Sequence, residues 1–217
     1  MKFIGSTIAF NDTIDSLKHE FRDDTSNNIV VCGAKDFAKQ FDISALKQKF
    51  DKVIVFNQEQ LGATQCNFLT PEYKHWIANA DEVWDYDEAN FTYLQELTNN
   101  LKLHSLQPYK DWSIYKPVEK DIDILFYGSI NDHRAKLLNE LAKRHKVCVL
   151  TFEWNKLDNY IMRSKILLNI HYYHECALQE QARMIRWIGA PCRIVSEKSF
   201  KNYLNVEELE YTDLFKI

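Results

Sequence analysis

Polar side chains follow two apolar segments in the second half of the chain. Residues 165–170 suit a strand covered on both faces, and residues 192–195 suit a second short strand. Ligands of open α/β sheets bind just beyond the carboxyl ends of the strands. Hydroxyl, imidazole and carboxylate groups at two strand ends therefore predict a nucleotide pocket. These groups belong to His171, Tyr172, Tyr173, Ser196 and Glu197. Ser196 and Glu197 fit equally well as a cap on the last helix.

Glu180 and Arg183 lie between these two strands, in a segment, residues 177–189, that is compatible with a helix. A carboxylate that faces a strand-end crevice can accept hydrogen bonds from both hydroxyls of a ribose. A guanidinium binds phosphate through two parallel hydrogen bonds and keeps its charge. We therefore predict that Glu180 binds a ribose and Arg183 a diphosphate. The alternative is an ion pair between Glu180 and Arg183 or Arg186 on a solvated helix face.

An earlier turn, residues 128–132, joins a predicted strand to a helix at 134–144. Gly128 would let the backbone approach a ligand closely there, with the Ser129 hydroxyl beside it. Arg134 lies in the first turn of the helix, where backbone N–H groups also favour anions. It is therefore a second candidate for the diphosphate. The alternatives are an ordinary strand–helix turn and a surface arginine.

The composition predicts a globular protein without a strong general attraction to nucleic acid. The chain has 217 residues, of which 46% are hydrophobic, and a net charge of −4. Its five cysteines form no CxxC pair, which favours a reducing compartment. The N-terminus lacks the pattern of a signal peptide, and no apolar run reaches the length of a membrane helix. We therefore predict a soluble cytoplasmic protein without a membrane span.

Strands alternate with helices in both halves of the sequence, which predicts two α/β lobes with parallel sheets. Residues 108–117 have no hydrophobic period and indicate a connector. The predicted division is therefore an N-terminal lobe of residues 1–115 and a C-terminal lobe of residues 116–217.

A set of motifs in both halves resembles the short GT-B glycosyltransferases, family 1/family 4-like proteins of bacteria, phages and large DNA viruses. The resemblance covers nearly the whole chain. In the C-terminal half its motifs are residues 123–131 (DILFYGSIN), residues 165–173 (KILLNIHYY), Glu180-x-x-Arg183 and residues 195–197 (VSE). In the N-terminal half they are residues 53–60 (VIVFNQEQ) and residues 80–86 (ADEVWDY) with Asn90.

The resemblance implies a compact GT-B-like architecture, in which two Rossmann-like lobes face each other across a cleft. It implies metal-independent transfer of a sugar from a nucleotide-sugar donor, a UDP-sugar in preference to a GDP-sugar, without a further cofactor. The acceptor hydroxyl would belong to a saccharide or a modified nucleobase. The implied catalytic residues are Glu59 and Arg183. The implied donor-binding residues are Gly128, Ser129, Arg134, His171, Tyr172, Tyr173, Glu180, Ser196 and Glu197.

Two acidic features of the N-terminal half have competing interpretations. Glu59 follows a buried strand and is a candidate for the general base of an inverting enzyme; the alternative is a structural carboxylate. Asp85-Tyr86-Asp87 matches the DxD motif with which other glycosyltransferases hold Mn²⁺ or Mg²⁺. Because Asp87 precedes a predicted helix, we interpret it as a helix cap, although the family usually has serine there. The chain also lacks the family's glycine in residues 104–108.

Two other functions remain open. A transferase for DNA bases needs a basic groove, and the net charge of −4 argues against it. A nucleotide-sugar-binding module would bind the donor and transfer nothing. The neighbours His171, His174, Glu175 and Cys176 lack a second set of ligands at zinc spacing, so no metal is predicted. The other histidines, including His133, receive no role beyond possible acceptor contacts. We further predict that Glu180→Ala abolishes donor binding and leaves the fold intact.

Overall fold

The chain forms two structural units, each with its own sheet. A computed structural model describes residues 1–64, 66–151 and 154–217. Met1–Tyr109 and Gln181–Ile185 form the first unit, and Lys110–Glu180 and Arg186–Ile217 form the second. Residues 181–185 thus belong to the first unit, although they lie in the second half of the sequence. Each unit contains a five-stranded parallel sheet, which confirms the predicted α/β class.

The described residues contain ten strands and nine α-helices, besides shorter 3₁₀ helices. The strands are β1 (Lys2–Gly5), β2 (Asn28–Cys32), β3 (Lys52–Asn57), β4 (Glu82–Asp85), β5 (Leu101–Leu103), β6 (Ile122–Tyr127), β7 (Val147–Leu150), β8 (Ser164–Asn169), β9 (Arg193–Glu197) and β10 (Glu207–Leu209). The helices are α1 (Asn11–Glu20), α2 (Ala34–Phe37), α3 (Ser44–Lys47), α4 (Pro71–Asn79), α5 (Phe91–Leu94), α6 (Asp132–Leu141), α7 (Leu157–Arg163), α8 (Gln181–Met184) and α9 (Tyr211–Leu214). Among the described helices, none has both the length and the apolar character that crossing a bilayer requires.

The sheet of the first unit has the order β1-β2-β3-β4-β5, with all neighbours parallel. Its inner strands contain the apolar runs 29–32 and 53–56, and every side chain of these runs is buried. Continuous burial of this kind is typical of parallel strands with both faces covered. Within the described residues the strand order follows the chain order without a reversal.

Helix α4 begins as its sequence predicts. Pro71 occupies its first turn, where a missing N–H costs no hydrogen bond, and the Thr70 hydroxyl accepts a hydrogen bond from Tyr73 N at 3.3 Å. A helix that begins at Pro71 is predicted to turn Trp76 and Ile77 inward, and these side chains are 1% and 0% exposed. The apolar period of the segment therefore identified both its structure and its buried face correctly.

Gly33 allows the tight connection from β2 to α2. It has a left-handed conformation with φ 74°, and a Cβ atom there would lie 2.5 Å from Phe10 Cε2 and would overlap Ser6 Oγ. We expect Gly33→Ala to lower the free energy of unfolding by about 2–5 kcal/mol, because left-handed strain costs about 1–2 kcal/mol and overpacking about 1–3 kcal/mol. Urea denaturation measures the loss.

Gly189→Ala is the matched control for this substitution. Gly189 also has a left-handed φ, 83°, but a Cβ atom there would meet only Trp112 Cδ1, at an ordinary 3.7 Å. We expect a loss near 1 kcal/mol, from the backbone strain alone. Equal losses in the two variants would contradict the predicted clash at Gly33.

The sheet of the second unit has the order β10-β9-β8-β6-β7, again with all neighbours parallel. Strand β6 lies between β7 and β8, so the chain first adds a strand on one side of β6 and then continues on the other. This reversal is the topological switch point of a doubly wound, Rossmann-like sheet, and it lies between β6 and β8.

The core of the second unit forms between this sheet and two helices. The helical spacing of Leu137, Leu138 and Leu141 predicts that they face inward from α6, and all three are buried. They pack with apolar residues of the sheet and of α9, namely Ile124, Phe126, Leu168, Ile170, Val195 and Leu214. The packing holds the first turn of α6 beside the carboxyl end of β8.

The main local difference from the prediction is the segment 177–189. Only Gln181–Met184 is α-helical, followed by the 3₁₀ helix Ile185–Trp187. Ala177 has a left-handed φ of 43°, and its carbonyl accepts a hydrogen bond from Phe200 N at 2.9 Å. The helix predicted to begin at Ala177 is therefore wrong, because tertiary contacts override a weak local propensity.

Candidate functional site

The switch point of the second sheet brings together two loops that contain predicted site residues. Gly128 directly follows β6 and has φ 136°, a conformation that side-chain-bearing residues rarely adopt. His171 and Tyr172 follow β8, the parallel neighbour of β6. Asn131, the N-cap of α6, joins the loops by accepting a hydrogen bond from Arg134 N at 3.0 Å and donating one to Tyr172 O at 2.7 Å. The sequence placed Asn131 in a turn but did not reveal this bridge.

Arg134 and Glu180 form an ion pair at this edge. Arg134 Nη2 donates to the two carboxylate oxygens of Glu180 at 2.8 and 3.0 Å. The same guanidinium donates from Nε and Nη2 to Ile170 O at 2.9 and 2.7 Å, and from Nη1 to Ser129 O at 2.8 Å. The Arg134 side chain is 1% exposed and that of Glu180 is 10% exposed. Arg134 is therefore an interior residue, whereas Glu180 keeps some surface that a ligand can touch.

Glu197 forms a second, parallel arrangement. Its carboxylate oxygens lie 3.0 and 3.1 Å from His133 Nε2, and Oε2 accepts a hydrogen bond from His171 N at 2.8 Å. Glu180 in turn accepts a hydrogen bond from Tyr172 N at 3.0 Å. His133 and Arg134 are consecutive residues of α6, and each meets one of these two carboxylates. The carboxylates also accept hydrogen bonds from the backbone N–H groups of His171 and Tyr172, the consecutive residues that follow Ile170.

The His171 ring is buried beside these carboxylates, with 1% exposure. Its Nε2 lies 3.1 Å from Lys198 O, an acceptor, so Nε2 carries the proton in this contact. Its Nδ1 is buried and has no hydrogen-bond partner among the described residues. The ring therefore has a role in holding the end of β9 against the end of β8.

Aromatic rings cover this group of side chains. The His133 ring stacks on Tyr211, with centroids 4.1 Å apart, and on His174, with centroids 4.8 Å apart. The Tyr172 ring lies 5.0 Å from the Arg134 guanidinium carbon, and its neighbour Tyr173 meets it edge-on at 4.8 Å. No group of three or more potential metal ligands converges anywhere in the described residues.

Two further predicted site residues, Ser196 and Arg183, lie in β9 and in α8. The Ser196 side chain is fully buried, where its hydroxyl accepts a hydrogen bond from Asn169 Nδ2 at 3.0 Å and donates to Glu197 O at 2.8 Å. Ser196 therefore fastens β9 to β8 and caps no helix. Arg183 is half-buried in α8, which belongs to the first unit, whereas Glu180 belongs to the second.

Glu59 lies just beyond the carboxyl end of β3 in the first unit. Its Oε1 is 3.2 Å from Lys35 Nζ, and both side chains are about one fifth exposed, 23% and 21%. Burial raises the pKa of Glu59, although the Lys35 ammonium acts in the opposite direction. The Lys35 ammonium also lies 4.5 Å from the centre of the Phe68 ring. A half-buried carboxylate with a raised pKa has the properties of a proton acceptor.

Asp85 lies at the centre of a buried hydrogen-bond network in the first unit. It is fully buried and accepts hydrogen bonds from Asn57 Nδ2 at 2.6 Å, Asp87 N at 2.9 Å and Asn90 Nδ2 at 3.1 Å. Burial raises the pKa of Asp85 to about 7. Asn90 also donates to Glu59 O at 3.0 Å, so the network holds the loop that carries Glu59.

Asp87 caps the 3₁₀ helix Glu88–Asn90 by accepting a hydrogen bond from Ala89 N at 3.0 Å. The predicted cap is therefore confirmed. Asp85 meanwhile points into the interior of the first unit, where its carboxylate receives amide donors. The asparagines of this network lie within the recognised motifs, but their partners could not be read from the motifs.

The chain is similar to proteins of Acanthamoeba polyphaga mimivirus. It is 33% identical to "Uncharacterized protein L137" over 174 residues, which are 75% of this chain and 22% of that protein. It is 24% identical to "Uncharacterized protein L138" over 188 residues, 83% of this chain and 20% of that protein. It is 26% identical to "Uncharacterized protein L140" over 203 residues, 88% of this chain and 62% of that protein.

The chain thus spans about a fifth of the length of two of these relatives and less than two thirds of the third. No family model matches the chain. The names of these relatives state no activity.

Proposed function

We propose that this protein is a GT-B-like glycosyltransferase, which transfers a sugar from a nucleotide-sugar donor to an acceptor hydroxyl. The observation that carries the proposal is the position of Gly128, Glu180 and Glu197 at the switch-point edge of the second sheet. Nucleotides bind at this place in doubly wound sheets. The cleft between two lobes and the preference for a UDP-sugar stay predictions of the resemblance.

In this proposal Glu180 accepts hydrogen bonds from the ribose hydroxyls of the donor. Its side chain is partly exposed, and its orientation is fixed by Tyr172 N and Arg134. The left-handed Gly128 lets the backbone approach the donor phosphates, and the N-terminal N–H groups of α6 favour their negative charge. Arg183 stays a candidate for stabilising the departing diphosphate.

The reaction breaks the bond between the anomeric carbon and the diphosphate oxygen and forms one from that carbon to the acceptor oxygen. The acceptor hydroxyl loses its proton in the process. In an inverting mechanism Glu59 accepts this proton, and the pKa of Glu59, raised by burial, suits that role. Positioning of the two substrates and stabilisation of the leaving group supply most of the acceleration.

Glu180→Gln tests the proposed donor site. The amide keeps an acceptor for Arg134 and Tyr172 N but removes the charge that receives the ribose hydroxyls. We expect the affinity for UDP or GDP, measured by calorimetry, to fall about 10- to 100-fold, because hydrogen bonds to a charged group contribute about 1.5–3 kcal/mol. Unchanged affinity for the nucleotide that the wild-type protein binds would refute the assignment of Glu180.

Glu140→Gln is the matched control, since Glu140 lies on α6 with its side chain 45% exposed and pairs with Lys143. We expect this variant to bind nucleotides like the wild type.

A second assay measures release of nucleotide diphosphate from UDP- and GDP-sugars with saccharide acceptors. Tight donor binding without release or hydrolysis would identify a binding module instead of a transferase, and transfer to modified DNA would identify a nucleobase acceptor.

A further inference from the structure

We infer that Arg134 is a positioning residue that aligns Glu180 for the ribose, and that it does not itself bind the donor diphosphate. This inference rests on the proposed function of the same site. The sequence made Arg134 a candidate phosphate ligand because it lies in the first turn of α6. The structure places its guanidinium inside the protein, with 1% of the side chain exposed.

The contacts of Arg134 assign this role. One of its nitrogens spans both oxygens of Glu180, and the others reach the carbonyls of Ile170 and Ser129. These carbonyls belong to the loops after β8 and β6, which flank the switch point. The guanidinium therefore fixes the carboxylate relative to both loops. A planar group with several fixed donors does this better than a single ammonium.

Two aromatic rings pack beside the buried Arg134 guanidinium, whereas Glu180 keeps some exposed surface. The guanidinium carbon lies 5.0 Å from the centre of the Tyr172 ring and 5.2 Å from that of Phe126. To reach a phosphate, Arg134 would have to leave these rings and abandon a buried ion pair. Glu180 is 10% exposed and needs no such rearrangement to receive a hydroxyl.

Arg134→Lys separates the two roles, because lysine keeps the charge and loses the fixed fork of donors. Binding is measured by calorimetry for UDP, 2′-deoxy-UDP and uridine, and in parallel for GDP, 2′-deoxy-GDP and guanosine. In the wild-type protein we expect the ribonucleotide to bind about 10-fold or more tightly than its 2′-deoxy form. In the variant we expect this ratio to fall below about 3, while the ratio between diphosphate and nucleoside stays within about twofold of the wild type.

The opposite pattern would overturn the inference: loss of the diphosphate-to-nucleoside ratio with an unchanged 2′-deoxy ratio identifies Arg134 as a phosphate ligand. Two unchanged ratios with a lower melting temperature also overturn it, because they show a purely structural residue. A wild-type protein that binds none of these ligands overturns both the inference and the proposed function. Arg144→Lys, at an exposed arginine just after α6, is the matched control and should change neither ratio.

If the lysine variant folds poorly, the double variant Arg134→Met, Glu180→Gln tests the same inference. The double variant has neither the buried charge nor the carboxylate that pairs with it. We expect it to show the same 2′-deoxy ratio as Glu180→Gln alone, because Arg134 acts on the ribose only through Glu180. A diphosphate-to-nucleoside ratio at least threefold lower than that of Glu180→Gln alone would show an independent contact of Arg134 with the phosphates and would contradict the inference.

Discussion

Glu180→Ala should lower the free energy of unfolding by about 3–5 kcal/mol, the range found when one partner of a buried ion pair is removed. The substitution leaves the Arg134 guanidinium at 1% exposure without the carboxylate that faces it. It also removes the acceptor for Tyr172 N. Urea denaturation of the variant and the wild type measures the loss. The sequence alone predicted that this variant would keep its fold intact, and the ion pair changes that expectation.

A double-mutant cycle with Arg134→Met isolates the pair. We expect the double variant to be about 1–3 kcal/mol more stable than the sum of the two single losses predicts, because groups in one buried network couple by that amount. Glu140→Ala, at an exposed position of α6, should change the stability by less than about 0.5 kcal/mol. Additive losses within the cycle, or a loss below 1 kcal/mol for Glu180→Ala, would contradict the role of this pair in the folded state.

Asp85 should make the folded protein less stable as the pH rises from 4 to 8. Burial raises the pKa of Asp85 to about 7, whereas its ordinary value is 3.8. Between these values the folded state holds a proton that the unfolded state has released, so each rise in pH favours unfolding. The stabilisation is complete below the ordinary pKa and is lost as the pH passes the folded one. A pKa higher by about three corresponds to at most about 4 kcal/mol.

Asp85→Asn does not titrate and therefore supplies the reference. The free energy of unfolding is measured by urea denaturation for both proteins between pH 4 and pH 8. We expect the difference, wild type minus variant, to fall by up to about 4 kcal/mol over this range. Titration of Glu59 or His104 affects both proteins and largely cancels in the difference. A difference that stays constant would show that Asp85 does not titrate in this range.

Asp23→Asn is the matched control, because the Asp23 side chain is 93% exposed. It should follow the pH dependence of the wild-type protein.

The Asp85 network also holds the loop of the proposed general base. Asp85 accepts a hydrogen bond from Asn90, and Asn90 donates to Glu59 O. Loss of the network should therefore weaken a reaction that depends on Glu59.

Local sequence patterns predicted a large part of the fold. The apolar runs 29–32 and 53–56 form buried strands, Pro71 begins a helix, and the leucines of α6 face the core. These features depend on residues only a few positions apart, so the hydrophobic period and the capping residues are enough to predict them. The same reasoning placed polar groups at the ends of β8 and β9, because a strand ends where its apolar run ends.

The partners of the site residues could not be predicted in this way. Arg134 meets Glu180 across 46 residues of sequence, and His133 meets Glu197 across 64. Motif reasoning made Arg134 a candidate ligand of the diphosphate and gave His133 no role beyond a possible acceptor contact. The left-handed Ala177 lies at the predicted start of the helix 177–189, of which only Gln181–Met184 is α-helical.

The sequence by itself thus determined the class of the fold, the positions of its buried strands and the polar groups that follow them. Tertiary structure alone decided that β8 pairs with β6, on the side opposite β7, and that Arg134 meets Glu180 while His133 meets Glu197. The physical reason is that the alternation of buried and exposed positions in a strand or helix involves residues close together in the sequence. Strand order, in contrast, depends on which distant segments pair with one another. Only that choice brings the first turn of α6, the end of β8 and two distant glutamates to one edge of the sheet.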